Sequence, residues 1–251
     1  VVVGIIGPEN AGKTTLLGAW YLLLGKGTPQ LRDRRFAGSL SLEGWEAVAG
    51  SLRWSPGQLP GFPPHTTSRS GRAPGLLHLS FWDAAHERST DFLFTDAPGE
   101  WFQRWAMNRD APEAEGARWI AEHADVLLLI ADRDALAGEH RGAARGALQR
   151  LGRRLAAECW ERPVALVWTK SDVEIVPEME NSIRRSVRDL MPHATEFSVS
   201  VLSEVASAGS DWIDLMNWIL TSRRPTGELP PPAAFRDDPL FLYGVGPDER
   251  P

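Results

Sequence analysis

The sequence predicts an α/β fold, a mostly parallel sheet with helices on both faces. Short apolar runs suited to buried strands alternate with longer stretches whose apolar residues recur at helical spacing. The first apolar run passes through a glycine-bearing loop directly into a helical pattern, the start of a strand–turn–helix unit. Two further runs end in short polar motifs, at the carboxyl ends of strands where open α/β sheets build their sites.

Val1-Val2-Val3-Gly4-Ile5-Ile6 reads as a buried strand, and Leu16, Leu17, Trp20, Leu23 and Leu24 give the helix over 14–24 its apolar face, with a stop at Gly25-Lys26-Gly27. Residues 28–74 form a long connection carrying an amphipathic piece at 41–52 and a Pro/Gly-rich stretch at 55–64. Connections of that length are functional or disordered. Strands at 76–82 and 91–95 follow, joined by a polar turn at 84–89, then a mobile loop and helix over 101–123 and a central strand at 126–130. Ala144, Leu148, Leu151 and Leu155 mark the inward face of the next helix, and 163–168 is another apolar strand. Ile183, Val187, Leu190 and Met191 do the same for the helix after it. Trp212, Leu215, Met216 and Ile219 line a closing helix with Ser210 or Asp211 as N-cap. The main domain is expected over 1–222. A Pro-rich tail is expected over 223–251, with Pro230-Pro231-Pro232 and one apolar cluster at 240–243.

At 251 residues and 43% hydrophobic content the chain can bury one sizeable core. A net charge of −6 argues against broad nucleic-acid or anionic-membrane binding. The longest apolar run, 126–131, is far too short for a membrane span. The single cysteine, Cys159, cannot form an internal disulfide and fits a reducing, cytoplasmic setting. Six scattered histidines show no metal-ligand spacing, and the arginines at 141, 145, 150, 153 and 154 read as the solvated face of a helix.

Gly7-Pro8-Glu9-Asn10-Ala11-Gly12-Lys13-Thr14 is a complete G-x-x-x-x-G-K-[ST] loop. Glycines let its backbone wrap an anion, N–H groups and the following helix N-terminus face phosphates, Lys13 reaches the β- and γ-oxygens, and the Thr14 hydroxyl is placed to ligate Mg²⁺. Asp96-Ala97-Pro98-Gly99 follows the strand at 91–95 as a D-x-x-G signature, and Thr169-Lys170-Ser171-Asp172 ends the strand at 163–168 as a [NT]-K-x-D signature. With these three motifs in this order, the sequence over about 1–222 resembles the Ras-like P-loop GTPases of the translation-factor-related (TRAFAC) class. The long first-switch region and Pro-rich tail resemble bacterial GTPase modules embedded in multi-domain systems.

The resemblance implies a six-stranded sheet with an antiparallel edge strand, built from the 76–82 and 91–95 pair. It implies a molecular switch that binds GTP and GDP and hydrolyses GTP with Mg²⁺, the alternative being a nucleotide-binding scaffold with negligible hydrolysis. Gly7, Glu9, Asn10, Ala11, Gly12, Lys13, Thr14 and Thr15 are then expected on the phosphates, together with the Gly99 N–H. Thr169, Lys170 and Asp172 are expected at the base, where the Asp172 carboxylate accepts from the guanine N1–H and exocyclic amine. Ser200-Val201-Leu202 backs the base, with Ser198-Val199-Ser200 as an alternative register. Asp96 holds Mg²⁺ through water beside Thr14, and Thr66 or Thr67 completes the coordination from the first switch, where Arg69 and Arg72 also lie. Lys13, Glu100 and Thr67 are the candidate catalytic residues, Glu100 standing where many relatives carry a water-positioning Gln. The run Asn10-Ala11-Gly12-Lys13 resembles loops that use K⁺ as a second positive element, the other reading of Asn10 being a turn stabiliser. Trp101 and Trp105, just after Gly99, together with the first switch are the expected surface for a protein effector or neighbouring domain. At least one of the two indoles is expected to be exposed in one nucleotide state, the other reading being that both are core.

Overall fold

A computed structural model describes residues 1–27, 31, 33–53, 61–63, 73–202 and 208–225, and all structural statements concern these. Among them, seven strands form one sheet: β1 (Val2–Ile6), β2 (Arg34–Gly38), β3 (Gly75–Asp83), β4 (Arg88–Asp96), β5 (Val126–Asp132), β6 (Val164–Thr169) and β7 (Thr195–Val199), in the order β2-β3-β4-β1-β5-β6-β7. The run β4-β1-β5-β6-β7 is parallel, whereas β3 is antiparallel to both β4 and β2. β5 and β6 are buried along their whole length, the pattern of parallel strands covered on both faces.

The alternation of side chains along each strand feeds two cores. On one face lie α1 (Lys13–Gly25), α2 (Leu42–Ala49) and α8 (Ala208–Thr221), whose Leu17, Trp20, Trp45, Trp212 and Ile219 close over Val3, Ile5, Phe94, Leu128 and Val167. On the other lie α3 (Gly99–Met107), α4 (Glu115–His123), α6 (Arg141–Cys159) and α7 (Pro177–Leu190), whose Phe102, Trp105, Ile120, Leu155 and Ile183 pack over Ile6, Leu127, Leu129 and Trp168. A short α5 (Arg133–Ala137) follows β5 directly.

Four sequence expectations change. The sheet has seven strands instead of six, because β2 forms inside the 28–74 connection. Arg34-Arg35-Phe36-Ala37-Gly38 lies at the sheet edge with most of its residues exposed, so it carries no apolar alternation, and backbone pairing to β3 makes it a strand. Residues 101–123 are not a loop and helix: α3 begins at Gly99, and a 3₁₀ turn at Pro112–Ala114 leads into α4. Ser210 and Asp211 lie inside α8, which starts at Ala208, so neither is its N-cap. Leu190 is exposed as the last residue of α7, whereas Met191, also expected inward, is buried. Cys159 is buried, and no described helix is long and apolar enough to cross a membrane.

Candidate functional site

β1 is flanked by β4 on one side and β5 on the other, so the chain crosses the sheet centre at its carboxyl edge and leaves a crevice there. The turn between Ile6 and Lys13 fills it. Asn10 (φ 59°) and Gly12 (φ 79°) both take left-handed backbone. Glycine does so without steric cost and asparagine is among the few side chains that tolerate it. Such turns point successive N–H groups to one side and bind anions, here at the start of the thirteen-residue α1.

Lys13 is almost fully buried under this loop, its Nζ donating to Gly7 O (3.1 Å) and Pro8 O (2.7 Å) and lying 5.8 Å from the centre of the Phe102 ring. Burial pushes its ammonium down to about 8, against the opposing pull of the Asp96 and Glu9 carboxylates. Thr14 Oγ1 lies 3.1 Å from Asp96 Oδ1, so the first turn of α1 and the end of β4 bring a hydroxyl and a carboxylate together. Two hard oxygen donors beside a phosphate loop fit a divalent cation such as Mg²⁺. Gly99 sits hard against the loop: a Cβ there would come 2.2 Å from the Glu9 nitrogen, so glycine alone lets α3 start at this point.

The second motif region joins the first through Thr169, whose Oγ1 donates to Ala11 O (2.9 Å) across 158 residues of chain. That hydroxyl ties the two loops together. Lys170 has left-handed backbone (φ 53°), and its Nζ bonds Asp132 Oδ2 at 2.8 Å and Asp134 Oδ2 at 3.4 Å. Ser200 Oγ donates to Asp172 Oδ1 and accepts from the Leu202 N–H (3.0 Å), while Trp212 Nε1 donates to Ser200 O (3.1 Å). Ser198 lies within β7 opposite Trp168, and Ser200 lies just past the strand end.

A single cavity of about 660 Å³ connects the two ends. Its walls include Glu9, Asn10, Ala11, Gly12, Lys13, Thr14 and Thr15 at one end, Gly99 and Glu100 at the rim, and Thr169, Lys170, Asp172, Ser200, Val201 and Leu202 at the other. Gly7 stands behind this wall as an acceptor for Lys13, and Asp96 reaches it through Thr14. Thr66 and Thr67, with Arg69 and Arg72, lie outside the described residues. Phe62, Pro63, Asp134 and Trp212 also line the cavity and were not foreseen. The first two belong to a Pro/Gly-rich stretch without periodicity, and Trp212 reads from sequence only as helix core. Trp101 and Trp105, expected to offer a partner surface, are buried at 6% and 0% exposure. They close α3 over the sheet, and the residues α3 turns outward are Glu100, Gln103, Arg104 and Met107.

The sequence model of the Double-GTPase 2 family matches residues 1–219. The chain belongs to this family. A Double-GTPase 2 chain is a P-loop GTPase. Among solved structures, this Double-GTPase 2 chain is similar to RocCORdC of Methanosarcina barkeri Roco2 bound to GDP. That similarity has 16% identity and a TM-score of 0.40, and covers 88% of this chain and 47% of the other. The chain thus spans about half the length of that relative. No curated protein matches it.

Proposed function

We propose that this chain hydrolyses GTP to GDP and phosphate with Mg²⁺ and that the nucleotide state is read out through α3. The observation that carries this reading is the single cavity lined by buried Lys13, by Thr14 with Asp96 paired behind it, and by Asp172. An Asp172 carboxylate oriented by Ser200 suits the donor pair of guanine, whereas adenine offers no such pair. Lys13 and the amides at the start of α1 stabilise charge on the β- and γ-phosphates. Water attacks the γ-phosphorus in line, a new P–O bond forming as the bond to the β-phosphate oxygen breaks, and the water proton leaves to the phosphate product. Glu100, exposed on the first turn of α3 at the cavity rim, is suited to orient that water. Mg²⁺ would be held by Thr14 and, through water, by Asp96, with Thr66 or Thr67 as the first-switch donor, and it supplies charge neutralisation at the phosphates. Because Gly99 touches the phosphate loop, a ligand contact to its N–H acts directly on the start of α3.

Multiple-turnover phosphate release from GTP tests this reading. Release should require Mg²⁺, resist competition by ATP, disappear in Lys13→Ala, and shift toward xanthosine triphosphate in Asp172→Asn. Tight GTP binding without release would leave a nucleotide-binding scaffold. Rates equal in KCl and NaCl at matched ionic strength would confine Asn10 to its backbone role in the loop.

A further inference from the structure

Behind Lys170, in the wall of a neighbouring pocket, lies a buried carboxylate that no phosphate or base contact requires. Asp132 is the last residue of β5, and only 4% of its surface is exposed. In the parallel pairing of β5 with β6 it stands opposite Thr169, so Lys170 is the first residue beyond its partner. Lys170 turns back toward β5 through a left-handed backbone that a lysine adopts only when its surroundings hold it there. The hold is visible: Asp132 Oδ2 accepts from Lys170 Nζ at 2.8 Å, while Oδ1 accepts from the N–H groups of Asp134 (3.0 Å) and Ala135 (3.4 Å) and caps α5. The next residue reaches the far side of the same loop, where Arg133 Nη1 donates to Val173 O (3.4 Å) and Nη2 to Glu180 Oε1 (2.9 Å).

We infer that Asp132 is a positioning residue for guanine recognition: it anchors the Lys170 side chain along the base and thereby presets the loop that carries Asp172. The inference rests on the reading of Lys170 and Asp172 as the base site. Asp134 contributes little to the hold, since its carboxylate is 68% exposed, 3.4 Å from Nζ and screened by water. The charge-assisted bond to buried Asp132 is the strong one. An unanchored Lys170 leaves the base end to be ordered at the moment of binding, and the cost appears in affinity for every guanine nucleotide alike.

The test is GDP and non-hydrolysable GTP-analogue affinity of Asp132→Asn, which keeps an oxygen for the α5 cap but removes the charge facing Lys170. Affinity should fall about tenfold, by the same factor for both nucleotides. Asp132→Ser, which also caps but cannot reach Lys170, should behave alike and gives a second route if one variant folds poorly. In a Lys170→Met background the Asp132→Asn penalty should vanish or reverse. A penalty that persists without the lysine, or that differs between GDP and the triphosphate analogue, overturns the inference and leaves Asp132 as a helix cap. Asp172→Asn separates the two levels. If it leaves GDP affinity unchanged, the base-site reading itself fails; if it weakens GDP while Asp132→Asn binds like the unaltered protein, only the positioning role is lost.

Discussion

Lys13 concentrates the electrostatics of the site in one side chain. Its ammonium is lowered to about 8 from the usual lysine value of 10.5, chiefly by burial. In the window between these values the unfolded chain holds a proton that the folded, nucleotide-free chain lacks. Stability of the empty protein therefore rises with pH across that window, and the burial penalty is fully present below it. Phosphates bound against Nζ favour the charged form, so binding above about pH 8 takes up a proton. GDP affinity is expected to fall by up to about tenfold per pH unit above that point, whereas Lys13→Ala should bind weakly without this slope. A slope retained in Lys13→Ala would assign the titration to another group. Gly99 shows a different residue-scale constraint, steric instead of electrostatic, because any Cβ would collide with the backbone of Glu9.

Among the elements, α3 has the most consequential arrangement. It begins at the phosphate loop and buries Trp101, Phe102 and Trp105, and Phe102 also provides the ring beside Lys13. Trp105 packs by its rings alone, its indole N–H having no hydrogen-bond partner among the described residues. Trp105→Ala is expected to cost about 3–5 kcal/mol in denaturant unfolding. Trp105→Phe should cost less, because it also removes a buried unpaired donor worth about 1–3 kcal/mol. Met107→Ala, on the 77% exposed residue of the same helix, should stay within about 0.5 kcal/mol. Equal losses at positions 105 and 107 would mean that α3 does not pack as described. The outward side of this helix is formed by Glu100, Gln103, Arg104 and Met107, with the tryptophans behind it.

At the scale of the whole molecule, the cavity joins segments from the first and last thirds of the chain, with Thr169 already bridging to Ala11. A ligand spanning it stabilises the folded state as a unit. GDP at about a hundred times its dissociation constant should add about 2.7 kcal/mol and raise the melting temperature by about 5–10 °C for a domain of this size. ADP at the same concentration should leave it nearly unchanged, and Asp172→Asn should lose the GDP shift. An equal shift with ADP would show that the base end does not discriminate. The strand order places β1 at the centre and the two antiparallel pairings toward one edge, so the cavity lies along the parallel part of the sheet.

Local order carried much of this protein's identity into its sequence. Buried parallel strands such as 126–131 are continuous apolar runs, helices such as α6 repeat their leucines at helical spacing, and the three site motifs are contiguous strings set at strand ends. Fold class, the phosphate loop and the Thr169-Lys170-Ser171-Asp172 motif follow from such near neighbours. What stayed hidden depends on contacts between distant segments. β2 is a strand only because β3 offers it a backbone edge, and the buried or exposed fate of Trp101 and Trp105 depends on α4 and the sheet closing over them. Asp132 is silent in sequence for the same reason. It lies thirty-eight residues before Lys170, and only the parallel register of β5 with β6 brings its carboxylate within 2.8 Å of the lysine. Short-range pattern is written along the chain, whereas burial and electrostatic pairing across it exist only once the sheet has aligned its strands.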